Sequence, residues 1–135
     1  MPQHNEGIIA QGADAWTRQD AEAFVATVSP DVEWEDAMFW SEPRRIYRGR
    51  QELQEWFVRA IVEPWESIHM EVEEIIDAGE DRVIAGGLLT ARGRGSGVET
   101  RTHGWSVFWF ESGLITRRRV FLERAEALEA VGLTE

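Results

Sequence analysis

Hydrophobic residues repeat with a helical period in two parts of the N-terminal half. In residues 8–17 the apolar and small residues share one face of an amphipathic helix: Ile8, Ile9, Gly12, Ala13 and Trp16. A second stripe runs from about Arg50 to Val62: Leu53, Trp56, Phe57, Ala60 and Ile61. Between the two, Asp20 is a suitable N-cap for a further helix, which we expect Pro30 to end.

Alternation of apolar and polar residues, or in RVIAGGLLTA a continuous apolar run typical of a central strand, predicts strands in the rest of the chain. The first strand is VEWEDAMFW, Val32 to Trp40, and four more runs follow in series: ESIHMEVEEII, RVIAGGLLTA, ETRTHGWSVFWF and LITRRRVFL. A short helix, RAEALEAVG, ends at Gly132. Strands that are grouped, rather than alternating with helices, predict one α+β domain over residues 1–135. We expect a curved, mostly antiparallel sheet wrapped around the N-terminal helices, forming a cone with an internal pocket.

Composition narrows the possible partners. The 135 residues carry 25 acids against 14 basic residues, a net charge of −11, which repels nucleic-acid phosphates and anionic lipid. We therefore expect neither nucleic acid nor a membrane as partner. The chain has no cysteine and no signal-peptide pattern, so the expected location is cytoplasmic. Its three histidines are scattered, which predicts no metal site, and no cofactor motif is present.

Asp36 is the most unusual candidate for chemistry. Alternation places it on the apolar face of the first strand with Val32, Trp34, Met38 and Trp40, while Glu33 and Glu35 are expected in solvent. A carboxyl group held away from water can act as a general acid or base near neutral pH. The other interpretation is that the strand ends early and Asp36 caps the loop.

The triplet Arg117–Arg119 is divided by the same alternation. Arg118 shares a face with Val120 and Leu122, whereas Arg117 and Arg119 share the other face with Ile115. Arg118 either enters the pocket, where it orients Asp36 or an anionic substrate group, or extends along the rim to water.

The run ETRTHGWSVFWF is apolar on both faces at its C-terminal end. Gly104, Ser106 and Phe108 lie on one face, and Trp105, Val107 and Trp109 on the other. Helices cover one face, so we expect the other to bind a second subunit, giving a homodimer through the outer face of the sheet.

Three segments carry a family resemblance, namely DAEAFVATVSPDVEWED, WEDAMFWSEPR and GLITRRRVFLERAEALEAVGL. Together with the element order they resemble the SnoaL-like, nuclear-transport-factor-2-like superfamily of cone proteins, which includes ketosteroid isomerases and limonene-epoxide hydrolases. The resemblance extends from Ile8 to Leu133. It specifies the fold well and the reaction poorly, because isomerases, cyclases, dehydratases, hydrolases and binding proteins share this fold.

The resemblance also implies roles for single positions. The base of the isomerases falls on Asp36, whereas their oxyanion-stabilising tyrosine falls on Gly12 and their protonated aspartate on Ser106. The Asp-Arg-Asp set of the epoxide hydrolases falls on Leu89, Gly87 and Val120, so it is absent. The chain thus retains the isomerase base without its usual donors.

These observations lead to one functional hypothesis and two alternatives. We expect cofactor-free isomerisation, cyclisation or dehydration of a small hydrophobic molecule, with Asp36 as general acid–base and with Arg118 and Ser106 polarising a carbonyl or holding a carboxylate. The expected substrate contacts are Trp16, Trp34, Met38, Trp40, Trp56, Gly104, Phe108, Val120 and Leu122. The alternatives are a non-catalytic binder of a lipophilic molecule and a dimeric assembly module.

Overall fold

The computed structural model describes residues 2–36 and 45–133, with side chains from residue 4 onwards. Its helices are α1 (Pro2–Arg18), α2 (Ala21–Val25), α3 (Arg50–Phe57), which continues as a π-helix (Val58–Val62), and α4 (Arg124–Ala130). Its strands are β1 (Val28–Asp36), β2 (Arg45–Arg48), β3 (Trp65–Gly79), β4 (Arg82–Gly93), β5 (Glu99–Glu111) and β6 (Leu114–Phe121). No helix in these ranges is long and apolar enough to cross a bilayer.

The start of α2 is as predicted, but its end is not. The Asp20 carboxylate accepts a hydrogen bond from the Ala23 N–H at 3.0 Å, which caps the helix. The helix then ends at Val25, and Pro30 lies within β1. Proline is tolerated there because the pairing of β1 with β6 is interrupted between Val28 and Glu33, so no ladder hydrogen bond requires its missing N–H.

The six strands form one sheet in the order β2-β1-β6-β5-β4-β3. Every neighbouring pair is antiparallel except β1 with β6, which is parallel. Three register shifts along β3 mark places where an extra residue bends the strand. The prediction of a curved, mostly antiparallel sheet around the N-terminal helices is confirmed.

The two faces of the sheet are covered by different helices. The concave face packs against α1, α2 and α3 in the larger apolar cluster. The convex face packs against α4, whose Ala127 and Leu128, together with Val131 directly after the helix, cover Ile84 and Val107. Val107 is 0% exposed in the single chain, so an apolar second face on β5 does not in itself require a second subunit. The homodimer stays a prediction, since Trp105 and Trp109 on the same face are only half-buried.

The start of β6 departs from simple alternation. A register shift between Trp109 and Phe110 pairs Phe110 with Ile115 and Trp109 with Arg117. Ile115 therefore belongs to the concave apolar cluster, on the same face as Arg118 and not with Arg117 as predicted. An irregularity of one residue transfers a side chain to the other face because the period of a strand is two.

Candidate functional site

A cavity lies between the N-terminal helices and the concave face of the sheet. It contains about 670 Å³ of atom-free space, counting the part open to solvent. Most of the described lining is apolar: Ile8, Ile9, Ala13, Trp16, Phe24, Trp34, Met70, Val72, Ala85, Leu89, Phe108 and Ile115. The rest is Gly12, Gly86, Gly87, Gly104, Thr27, Thr102, Ser106 and Arg118. Arg118 is the one charged side chain among these lining residues.

Aromatic rings build one end of the cavity wall. Phe24 contacts Trp34 edge-on with 5.0 Å between ring centroids, and Trp16 contacts Phe24 edge-on at 6.0 Å. Edge-to-face pairs of this kind are favoured by the ring quadrupoles, so the rings hold one another in place. Trp56 packs behind Trp16, with centroids 6.0 Å apart, and is buried without lining the cavity.

Arg118 is fixed by contacts on three sides. Its Nε donates to the Ser106 hydroxyl oxygen at 3.1 Å, and its Nη1 donates to the Glu35 backbone carbonyl at 2.6 Å. Its guanidinium carbon lies 4.6 Å from the Trp34 ring centroid, a cation–π contact. The side chain is 4% exposed. Ser106 and the end of β1 therefore position a cation at the wall of an apolar cavity.

Burial and nearby carboxylates shift the pKa of this cation in opposite directions. Burial lowers the pKa of Arg118 to about 10, because desolvation disfavours the charged form. The charges of Asp36 and, to a smaller extent, Glu35 oppose that shift. The guanidinium consequently remains protonated at neutral pH, where it can hold an anionic oxygen.

Asp36 is the last residue of β1 and is 4% exposed. It does not line the described cavity, although its charge acts on Arg118, which does. Trp34 and Arg118 are register partners on β1 and β6, and Asp36 follows two residues later. The structure thus brings Asp36, Arg118 and Ser106 into one buried polar cluster.

Glu35 is a residue of this cluster that alternation did not identify. We expected it in solvent, yet it is 9% exposed, and its Oε1 accepts a hydrogen bond from the Val120 N–H at 3.2 Å. Its Oε2 lies 3.8 Å from Arg119 Nε. The sequence does carry one signal that could have identified Glu35, namely complementary charge. The acidic run on β1 and the basic triplet on β6 form ion pairs if these strands are neighbours.

The other predicted contacts are distributed between the cavity, the core and the surface. Trp16, Trp34, Gly104 and Phe108 line the cavity, whereas Trp56 and Val120 are buried elsewhere in the core. Leu122 is 64% exposed, because β6 ends at Phe121 and the alternation does not continue past it. Met38 and Trp40 lie outside the described residues.

Two further findings concern the polar atoms of the described chain. The buried indole N–H of Trp34 has no hydrogen-bond partner within the ranges that the structure covers. Buried donors are rarely left unpaired, which makes this one a candidate ligand contact. Among the same residues no group of three or more histidine or acidic side chains could hold a metal ion.

Comparisons with known proteins agree with this architecture. Residues 9–118 match the SnoaL-like domain. A Catenulispora acidiphila protein with a ketosteroid isomerase-like fold, solved with trimethylamine, is similar at 17% identity and a TM-score of 0.74, covering 93% of this chain and 92% of its own. RV0760c from Mycobacterium tuberculosis, in complex with estradiol-17beta-hemisuccinate, has 17% identity, a TM-score of 0.74 and coverage of 90% and 95%.

A third similar structure is TerC co-crystallised with polyporic acid, with 17% identity, a TM-score of 0.71 and coverage of 95% of this chain and 98% of its own. No curated protein sequence matches the chain. At these identities the structural likeness establishes the fold alone.

Proposed function

Because this chain belongs to the SnoaL-like domain family, whose fold is shared by isomerases and cyclases, we propose that it catalyses a cofactor-free acid–base reaction on a small hydrophobic molecule. Isomerisation, cyclisation and dehydration all fit, since each moves a proton next to a polarised oxygen. The substrate occupies the cavity with its oxygen directed to Arg118 and its apolar body among Trp16, Trp34 and Phe108.

The observation that carries this proposal is the position of Arg118. A cavity with a mostly apolar lining presents one buried cation, braced by Ser106 and by the Glu35 carbonyl, with Asp36 beside it. Fixed donors in a water-poor site stabilise developing negative charge strongly, because they need no reorganisation during the reaction.

In the proposed reaction the substrate extends past the described lining to Asp36 beside Arg118, and the Asp36 carboxylate removes a proton from the carbon next to the substrate carbonyl. The electron pair of that C–H bond moves toward the carbonyl oxygen, and Arg118 holds the resulting oxyanion. Asp36 then returns the proton to a carbon of the substrate, so that no external oxidant, reductant or cofactor is consumed. The similar structures with estradiol-17beta-hemisuccinate and polyporic acid support a small organic occupant without identifying it.

The test uses β-tetralone, an apolar ketone with exchangeable α-hydrogens. In D₂O, wild-type protein should accelerate exchange of these hydrogens, followed by NMR. We expect Asp36→Asn to reduce that acceleration by about 100-fold or more, since general-base catalysis contributes this much. Asp31→Asn is the matched control, because Asp31 is an exposed aspartate of the same strand. Equal exchange rates with wild type and Asp36→Asn overturn the catalytic role.

A second candidate function, non-catalytic binding, is favoured by one specific observation. Asp36 lies outside the described cavity lining and acts on Arg118, so its carboxylate could serve only to balance that charge. Tryptophan-fluorescence titration with β-tetralone distinguishes the two functions. Saturable binding by wild type without any exchange above the buffer rate selects the binder.

In this proposal the protein is a cytoplasmic homodimer that associates through the convex face of the sheet. Trp105 and Trp109 are half-buried there and remain partly available to a partner, whereas Val107 is already covered by α4. In sedimentation equilibrium, wild type should associate into a dimer, and Trp109→Arg should weaken that association. A monomer at every concentration contradicts it and leaves the single-chain cavity unaffected.

A further inference from the structure

Glycines contribute much of the space in the cavity, because they have no side chains to fill it. Among its described lining, four residues are glycines, and they come from two opposite sides. Gly12 belongs to α1 on the helix side, whereas Gly86, Gly87 and Gly104 belong to β4 and β5 on the sheet side. Glycine has no side chain, so the backbone itself forms the cavity wall at these residues. Both walls are therefore nearly flat there.

On the sheet side, two glycines are neighbours across strands. Gly87 and Gly104 are register partners, and alternation directs this pair toward the concave face together with Leu89. Gly87 is required by the fold, because a Cβ there would lie 2.7 Å from the Glu71 carbonyl oxygen. The missing side chain at Gly87 is thus a consequence of how closely β3 and β4 pack.

On the helix side, the packing does not require glycine. A Cβ on Gly12 would meet no atom within 4 Å, although Gly12 lies in the interior of α1, where glycine is less favourable than alanine. Gly7, in the same helix, also has open space around it, but Gly7 is exposed and its space is solvent. The space at Gly12 belongs to the cavity.

We propose that Gly12 determines which ligands the cavity admits, because it leaves a flat slot between α1 and the bare backbone of Gly87 and Gly104. A slot with two flat walls and aromatic rings at its end fits a planar ring system better than a globular one of equal volume. Its occupant is a planar aryl or fused-ring compound with an anionic or carbonyl oxygen that reaches Arg118. This inference rests on the proposed function, since it deepens the description of that same site.

The test compares two probes of similar size and equal charge. Naphthoate is planar, and adamantane carboxylate is globular; both present a carboxylate. Fluorescence titration of wild type should show naphthoate binding about tenfold tighter or more, a difference of about 1.4 kcal/mol. Gly12→Leu should lose about tenfold or more in naphthoate affinity, because the new side chain occupies the slot. Gly7→Leu, the matched control, should stay within about twofold of wild type.

A milder variant provides the test if the Gly12→Leu protein does not fold. Gly12→Ala should raise the Tm, as alanine favours the helix, and should still weaken naphthoate binding several-fold. Higher stability together with lower affinity is a combination that a merely structural glycine does not produce.

The outcomes distinguish the proposed slot from the proposed catalytic function. Equal affinity for the two acids, or wild-type naphthoate affinity in both Gly12 variants, overturns the slot, while hydrogen exchange of β-tetralone continues to support the reaction. Planar selectivity with no exchange activity supports the slot and overturns the catalytic proposal.

Discussion

Three consecutive arginines on β6 show how differently the two faces of this sheet treat the same side chain. Arg117 and Arg119 lie on the convex side, where their guanidinium carbons sit 4.7 Å from the Trp109 ring centroid and 5.1 Å from that of Phe121. Arg118 points to the concave side, where it is buried against Trp34. All three stack on an aromatic ring, but of the three only Arg118 is buried.

The comparison shows that burial, rather than the contact itself, makes an arginine a candidate for chemistry. A cation–π contact at an exposed site is worth about 0.5–1 kcal/mol, and solvent screens the charge. On the concave face that screening is weaker, so the charge of Arg118 acts more strongly on Asp36 and on any ligand. Each prediction below tests this contrast between the faces.

The largest effect is expected from Arg118→Met. Removal of one partner from a buried cluster of charges costs about 3–5 kcal/mol in the free energy of unfolding, because the remaining carboxylates lose their compensation. Arg117→Met, on the convex face, should cost about 1 kcal/mol or less. Urea denaturation measures both. Similar losses for the two variants would remove the basis for the contrast.

An intermediate effect is expected from Glu35→Ala. The variant removes the acceptor of the buried Val120 N–H, which costs about 1–3 kcal/mol. Glu33→Ala is the control, since Glu33 is an exposed glutamate two residues earlier, 3.7 Å from Arg48, and its loss should cost about 0.5 kcal/mol or less. The Glu35 backbone carbonyl that accepts from Arg118 is kept in Glu35→Ala, so naphthoate binding should stay near that of wild type. A large loss of naphthoate affinity would show that the carboxylate itself positions Arg118.

A third prediction concerns alkaline pH. Since burial holds the pKa of Arg118 at about 10, the guanidinium loses its proton as the pH rises through that value. Naphthoate affinity should therefore be constant at lower pH and fall by up to about tenfold per pH unit above it. The chain has no lysine and a single tyrosine, so few other groups titrate in this window. Arg118→Met should bind weakly at every pH and show no such fall.

The smallest effect is expected on the convex face at acidic pH. Hydrogen bonds from Arg124 at 3.1 Å lower the pKa of Glu74 below its ordinary value of 4.5. The pair thus stabilises the protein above pH 4.5, and this contribution is lost as the pH falls through the lower pKa of the folded state. The Tm difference between wild type and Arg124→Gln should be a few degrees at most near neutral pH and vanish at low pH. A difference that grows on acidification contradicts this.

Periodicity predicted much of the fold and part of the site. It identified the long N-terminal helix, the grouped strands and the cap at Asp20, because each depends on local spacing. Alternation left open whether Arg118 enters the pocket or extends along the rim, and the structure has it in the cavity lining with Trp34 and Ser106. It could not place Ile115 or Glu35 correctly, since a register shift and a parallel neighbour are properties of strand pairing, which spacing within one strand does not record. Nor did it assign α4 to the second face.

The parallel pairing of β1 with β6 has a consequence for how the protein is made. The hydrogen bond from Arg118 to Glu35 joins residues 83 positions apart, and the bond from Val120 to Glu35 joins residues 85 apart. During synthesis, one side of β1 must wait without its partner until nearly the whole chain has left the ribosome. The cluster around Arg118 therefore cannot form in any nascent chain that ends before β6, and premature termination there yields a product without Arg118 and without the strand that lies between β1 and β5.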